Sequence, residues 1–289
     1  MLGYIAHGIN DKHFFKSTSD IDIMRQTDLR NHMFSNEPVD FVVLFNNRNI
    51  RRKMPGNVIL AFREFIMTLP PEKRDRTRLL FHTQPVDGNG TDLLAVLRDC
   101  APEIKAVFSP DRVDTRTMND IYAISDVAIN MSSAEGFGLG TAEALMAEKM
   151  IIVNVTGGLQ DQCGFRNDSG DYLNPNVDYT ANWWSNNDGR FRVHGDWVVP
   201  LFPTARSLIG SPPTPYIFED HCSWEEAARA IRFVYDLTPE ERARRGKLGR
   251  EYMQQEGFSA KTMCDKFITG LDTVLADWKP RQPFTLIKV

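Results

Sequence analysis

The chain has 289 residues, 42% of them hydrophobic, and a formal net charge of −4. That content is enough to bury a substantial core in one large or two small domains, and the acidic balance argues against a dedicated nucleic-acid binder. No apolar run approaches the roughly 18 residues of a membrane span, and no signal peptide, internal repeat or low-complexity tract is recognisable.

The four cysteines, Cys100, Cys163, Cys222 and Cys264, show neither CxxC nor zinc spacing, which points to a reducing, cytoplasmic compartment. His82 and His221 have no ligand-spaced partners. Leu2 to Ile9 reads as a strand, followed by a polar linker to Pro38. Asp20-Ile21-Asp22 in that linker formally matches a metal-binding DxD, and its position there makes a chance match the better reading.

Phe41 to Phe45 is an unbroken apolar run, the mark of a parallel strand covered on both faces. It ends in Asn46-Asn47-Arg48-Asn49-Ile50-Arg51-Arg52-Lys53, ahead of a helix opening at Pro55. Ligands of α/β proteins bind at the carboxyl ends of parallel strands, where fixed guanidinium and ammonium groups neutralise a diphosphate. For Arg51 and Arg52 a solvated loop face is the preferred reading.

Strand and helix then alternate. A helix is expected near Pro55 to Leu69, a strand at Arg78 to His82, a helix near Thr91 to Asp99, a strand at Ile104 to Phe108 and a helix near Asn119 to Ile124. Asp126 to Met131 follows as a short buried strand, and Thr141 to Lys149 is dense in strong helix formers. Ile151 to Val155 is the next strand. This pattern predicts an α/β, Rossmann-like doubly wound parallel sheet with right-handed crossovers.

Between the strand ending at Met131 and its helix lies Glu135-Gly136-Phe137-Gly138-Leu139-Gly140-Thr141-Ala142-Glu143. Glycines admit close backbone approach to a ligand, and the helix start behind them favours an anion. A dinucleotide fingerprint does not fit: counted from Gly136 the sixth position is Thr141, counted from Gly138 it is Glu143, and the segment belongs to a late strand. Glu135 and Glu143 are expected on the order of 10 Å apart, too far for the roughly 5 Å pair of a retaining hydrolase, so they more plausibly grip two parts of one extended ligand. A first-turn position for Glu143, favoured by the helix dipole, is the structural alternative.

From about residue 165 to 215 the pattern yields to an ordered excursion rich in aromatics and turns. Trp183 and Trp184 within it read first as part of a structural flap and second as stacking platforms for sugar rings. Helices resume over about 223 to 278, with a capping box at Ser223-Trp224-Glu225-Glu226 and Pro239 opening another helix after Thr238. Arg242, Arg244, Arg245, Lys247 and Arg250 form a solvated face by default, with peripheral contact to an acidic lipid surface as the alternative. The resulting division is an N-terminal strand and linker (1–40) ahead of one Rossmann-like domain (41–289).

Ser132-Ser133-Ala134-Glu135-Gly136-Phe137-Gly138-Leu139, continuing through Glu143-Ala144-Leu145-Met146-Ala147 and Ile151-Ile152-Val153 to Thr156-Gly157-Gly158-Leu159-Gln160-Asp161, resembles the C-terminal donor-binding half of retaining GT-B glycosyltransferases. Family 4, the group 1 glycosyl transferases, is the nearest likeness. The resemblance implies that Glu135 lies beside the donor sugar and that Gly136, Phe137, Gly138, Leu139, Gly140 and Thr141 form the turn presenting backbone N–H groups to sugar and diphosphate. Glu143 would bind ribose hydroxyls, and Arg48 and Lys53, at the family's five-residue spacing, would bind phosphate oxygens. The family continues Lys-Gly where this chain has Lys53, Met54 and Pro55. His7-Gly8-Ile9-Asn10-Asp11 with Phe14-Phe15 resembles the opening of the second GT-B domain.

The function implied by the resemblance is metal-independent, retaining sugar transfer from a nucleoside-diphosphate sugar to an unidentified acceptor, with no cofactor beyond that substrate. An acceptor-binding domain would then have to come from elsewhere, and a nucleotide-sugar-binding subunit that works only with a partner protein is the alternative. An NAD-dependent oxidoreductase is disfavoured by the failed fingerprint.

Overall fold

A computed structural model describes residues 4–175, 177–179 and 185–280. Helix α1 (Asp20–Met33) precedes strand β1 (Phe41–Asn46), helix α2 (Pro55–Met67), the single turn α3 (Pro71–Arg74) and β2 (Thr77–His82). Then come α4 (Leu93–Cys100), β3 (Ala106–Phe108), α5 (Thr115–Ala123), β4 (Val127–Asn130), α6 (Leu139–Met146) and β5 (Met150–Asn154). After a 3-10 turn at Gly157–Gln162 the chain adds β6 (Val198–Leu201), the hairpin β7 (Ala205–Leu208) and β8 (Phe218–His221), and helices α7 (Trp224–Asp236), α8 (Pro239–Gln255) and α9 (Ala260–Asp277).

Six strands among the described residues form one sheet in the order β3-β2-β1-β4-β5-β6, and every pairing is parallel. This is the doubly wound α/β class that the alternation predicts. Phe41, Val43 and Phe45 pack into the core under α2 and α7, while Val42 and Leu44 join the opposite core with residues of α5, α6 and α8. All five are essentially unexposed, which explains why β1 reads as a continuous apolar run rather than an alternation. The strand order reverses between β1 and β4, so the loops after these two strands diverge around a crevice at their carboxyl ends.

Three expectations are corrected. Described residues between Tyr4 and Asn10 form no strand; Ile9 makes an isolated bridge to Ser259, with Ile9 N donating to Phe258 O and Ala260 N to Ile9 O. The polar linker contains α1, which buries none of its residues and so carries no apolar stripe for a sequence reading to find. Capping and charge hold it instead. Ser19 accepts from the Asp22 amide, Asp20 and Asp22 occupy the first turn, and Arg25 pairs with the buried Asp120. Asp22 itself accepts from Ser17, Ser19, Arg25 and Arg116, so the DxD match is part of a helix start.

The third correction concerns the 165–215 excursion, which is more than a flap: Val198–Leu201 adds the sixth parallel strand beside β5. Pro200 is tolerated there because β6 is an edge strand. Trp183 and Trp184 lie outside the described residues. Further on, Ser223 and Thr238 cap α7 and α8 through the amides of Glu226 and Glu241.

Candidate functional site

The loops leaving β1 and β4 meet directly at the crevice. After β1 the chain runs through Arg51–Lys53 in a 3-10 turn and enters α2 from Met54, which has φ 53° and ψ 41°. This left-handed conformation favours glycine, and a non-glycine residue there costs roughly 1–2 kcal/mol. The turn into α2 is therefore strained at Met54.

That turn places Lys53 inward. Its side chain is 9% exposed, and its Nζ donates to Glu135 Oε2 from the β4 loop, whose side chain is 10% exposed. Burial lowers the Lys53 pKa to about 7, with the Arg52 guanidinium pushing the same way; the Glu135 carboxylate against it favours the charged form and opposes both. Arg52 donates to Ala134 O at 2.7 Å, and its carbonyl accepts from Ser133 N at 2.7 Å. Arg52 thus staples the two loops together, contrary to the solvated role expected of it. Arg51 is exposed, as expected.

Arg48 is exposed and turned to Asp87 of the loop after β2, with Nε 2.8 Å from Oδ2. The structure thus brings Lys53 and Glu135 into contact and leaves Arg48 paired at the rim. Asp87, which holds this cation, has no motif to mark it in the sequence.

The glycine-rich turn follows Glu135, whose Oε1 accepts from Gly136 N at 3.1 Å. Gly136 is exposed, Phe137 stacks between His7 and Phe258, and Gly138 caps α6 with φ 88°. Only glycine fits Gly138 without strain. Leu139 is exposed, and Thr141 is buried with its hydroxyl donating back to Gly138 O at 2.9 Å. The amides of the first helical residues have no acceptor within the helix, which is the arrangement that suits an anion. The turn after β5 supports this loop from behind: Gly158 N donates to Glu135 O at 3.2 Å, and a Cβ at Gly157, where φ is 48°, would meet the same oxygen at 1.9 Å.

Because α6 begins at Leu139, Glu143 stands on its second turn, and the first-turn dipole argument does not apply to it. Its Oε2 lies 2.7 Å from the Tyr122 hydroxyl of α5. That hydroxyl is also 2.8 Å from Gly140 O and accepts from Asn46 Nδ2 at 2.6 Å. One phenolic hydrogen serves two acceptors, so when it goes to Gly140 the carboxyl must supply a proton of its own. Burial raises the Glu143 pKa, with the tyrosine bond pulling it back. Tyr122 is fully buried and gave no sequence signal beyond an apolar helical position.

Asp220, fully buried at the end of β8, was also invisible in the sequence. Its carboxylate accepts from Thr156, Asn186 and Arg206, and its amide donates to Ser133 O, tying the hairpin to both glycine-bearing turns. Among the described residues no group of three or more His, Cys, Asp or Glu side chains converges as a metal site. The cations of α8 have intramolecular partners: Arg242 with Asp126, Arg244 and Arg245 with Glu241, Lys247 with Glu251, and Arg250 with backbone carbonyls.

No protein-family model and no curated protein matches the chain. Solved structures do. Sucrose-phosphate synthase from Thermosynechococcus elongatus is similar over 94% of this chain and 52% of its own, with 19% identity and a TM-score of 0.61. Anabaena HepE in complex with UDP and glucose is similar over 93% and 56%, with 16% identity and a TM-score of 0.62. The C-terminal domain of a group 1 family glycosyl transferase from Francisella tularensis is covered in full by 88% of this chain, with 12% identity and a TM-score of 0.54. The fold is thus that of GT-B glycosyltransferase structures. The chain spans about half the length of the first two, 52% and 56%.

Proposed function

We propose that this chain is the nucleotide-sugar-binding part of a glycosyltransferase, of the retaining family 4 type, acting in the cytoplasm on an acceptor still to be identified. The observation that carries the reading is the Lys53–Glu135 contact across the β1/β4 crevice, with the Gly136–Gly140 turn beside it. A buried cation, helix-start amides and a carboxylate converge where the strand order reverses, and HepE, similar in fold, is solved with UDP and glucose.

Such a transfer needs stabilisation of charge on the departing diphosphate more than a protein nucleophile. Lys53, Arg48 once released from Asp87, and the α6 amides supply that stabilisation in place of a divalent metal. Glu135, beside Lys53, takes the sugar, and Glu143 takes the ribose. Retention of anomeric configuration rests on the family resemblance. Acceptor contacts are assigned to a further domain or partner chain, since sucrose-phosphate synthase and HepE are about twice as long as this chain.

Calorimetric titration with UDP, GDP and ADP, each with and without EDTA, tests the reading. At least one nucleotide should bind with unchanged affinity in chelator. Binding lost in EDTA would overturn metal independence, and no nucleotide binding would overturn the donor site.

A further inference from the structure

Helix α9 leaves the domain after one turn. That turn is fixed: Ser259 caps it through the Thr262 amide, Ala260 N donates to Ile9 O, and Gly8 N donates to Met263 Sδ at 3.2 Å. From Cys264 to Pro280 every residue is exposed. A helix draws little of its stability from propensity alone, and the packing of an apolar face supplies the rest.

That face is the stripe Phe267, Ile268, Leu271, Val274, Leu275 and Trp278, each 53–70% exposed. At about 200 Å2 per large side chain the six present on the order of 700 Å2, more than the largest apolar patch of an ordinary monomer. Two such faces would together bury about 1,400 Å2, within the range of specific protein–protein interfaces. A lipid surface fits less well, because the charges from Lys261 to Lys279 are three of each sign, whereas a helix lying on a membrane carries an excess of Lys and Arg.

The order of the stripe selects the partner. Leu271 stands at its centre, with Ile268 and Val274 three residues to either side and Phe267 and Leu275 four. A second α9 laid antiparallel, with Leu271 on a two-fold axis, sets Phe267 against Leu275 and Ile268 against Val274 on both sides of the axis, which is the self-complementarity of an isologous interface. Antiparallel pairing also leaves the two domains, rooted at the helix N-termini, at opposite ends of about 27 Å of helix, whereas parallel pairing would press them together across an interaxial distance of about 8–10 Å. We propose that α9 is a dimerisation helix, pairing antiparallel about Leu271 with α9 of a second copy of this chain.

Sedimentation velocity on the full chain at micromolar concentration tests it. The wild type should sediment as a dimer. Leu271→Asp, which sets two like charges on the axis without touching the domain core, should raise the dimer dissociation constant a hundredfold or more, whereas Thr269→Asp, on the face of the helix turned away from the stripe, should change it by less than about threefold. Mild oxidation reads the register independently: Leu271→Cys should become disulfide-linked to its copy through that position, while Cys264, seven residues from the axis and so about 21 Å along the helix from its own copy, should not. A monomeric wild type, which would leave the stripe to a further domain or a different partner chain, would overturn the proposal, as would a dimer unchanged in Leu271→Asp. Linkage of two copies through Cys264 would overturn the antiparallel order.

Discussion

Lys53 Nζ reaches the Glu135 carboxylate across the crevice between the β1 and β4 loops, and both side chains are about nine-tenths withdrawn from water. Removing Glu135 leaves Lys53 buried without a counter-charge, at a cost of about 3–5 kcal/mol, whereas removing Lys53 leaves Glu135 with the more distant Arg52 guanidinium at 3.7 Å and costs less. Lys53→Met and Glu135→Gln alone should therefore each lower stability to urea, whereas the double variant should recover most of the loss. Additive losses in the double variant would show that the two residues do not interact.

The same pair predicts a division of labour in binding. Charge-assisted hydrogen bonds are worth about 1.5–3 kcal/mol, so Lys53→Met should weaken a bare nucleoside diphosphate by about tenfold or more. Glu135→Gln should change bare diphosphate affinity by less than about threefold while reducing nucleotide-sugar affinity or turnover by about tenfold. Calorimetry on both ligands, with melts of both variants, checks this; equal loss of bare diphosphate in the two variants would contradict it.

Burial sets the pH dependence. The Lys53 pKa in the free protein is lowered to about 7, and a bound diphosphate raises it by favouring the charged form. Binding therefore takes up a proton between the free and bound values. Affinity should be highest below pH 7 on this account and fall as pH rises from about 7 to 8.5, by up to about tenfold per unit. Titrations in buffers of different ionisation enthalpy should report proton uptake at pH 8 in the wild type and none in Lys53→Met.

Asp87 holds Arg48 in the free protein and must give it up for Arg48 to reach a phosphate. Asp87→Asn should then tighten diphosphate binding by a few fold, and Arg48→Ala should weaken it. Both effects should shrink with added salt because the pair is exposed. Unchanged affinity in Asp87→Asn and Arg48→Ala alike would remove Arg48 from the site, as would losses at Arg51 equal to those at Arg48.

Glu143, in contact with the Tyr122 hydroxyl, is assigned to ribose. Glu143→Ala should weaken UDP and intact donor by similar factors, about tenfold, and leave 2′,3′-dideoxyuridine diphosphate unaffected. Tyr122→Phe should lower stability by about 1–3 kcal/mol, since it removes the hydroxyl that Asn46 Nδ2 donates to and that meets the Glu143 carboxyl. Equal weakening of the dideoxy nucleotide by Glu143→Ala would refute the ribose assignment.

By itself the sequence determined the parallel sheet and the two loops that face each other. Those features are written locally: Phe41–Phe45 is apolar because both faces of β1 are covered, and Gly138 is glycine because its φ is 88°. It also marked the caps Ser223 and Thr238, which act within one turn of chain. Helix α1 escaped it because that helix buries nothing and is held by charges such as Asp120, 95 residues from Arg25. Strand β6 escaped because an edge strand containing Pro200 looks like a turn until β5 supplies its partner. Only the tertiary structure decided that Arg48 rests on Asp87, that Arg52 staples the loops, and that Tyr122 and Asp220 support the carboxylate-bearing turns. Hydrogen bonds and ion pairs between distant segments have no period and no spacing, so nothing in the linear chain announces them.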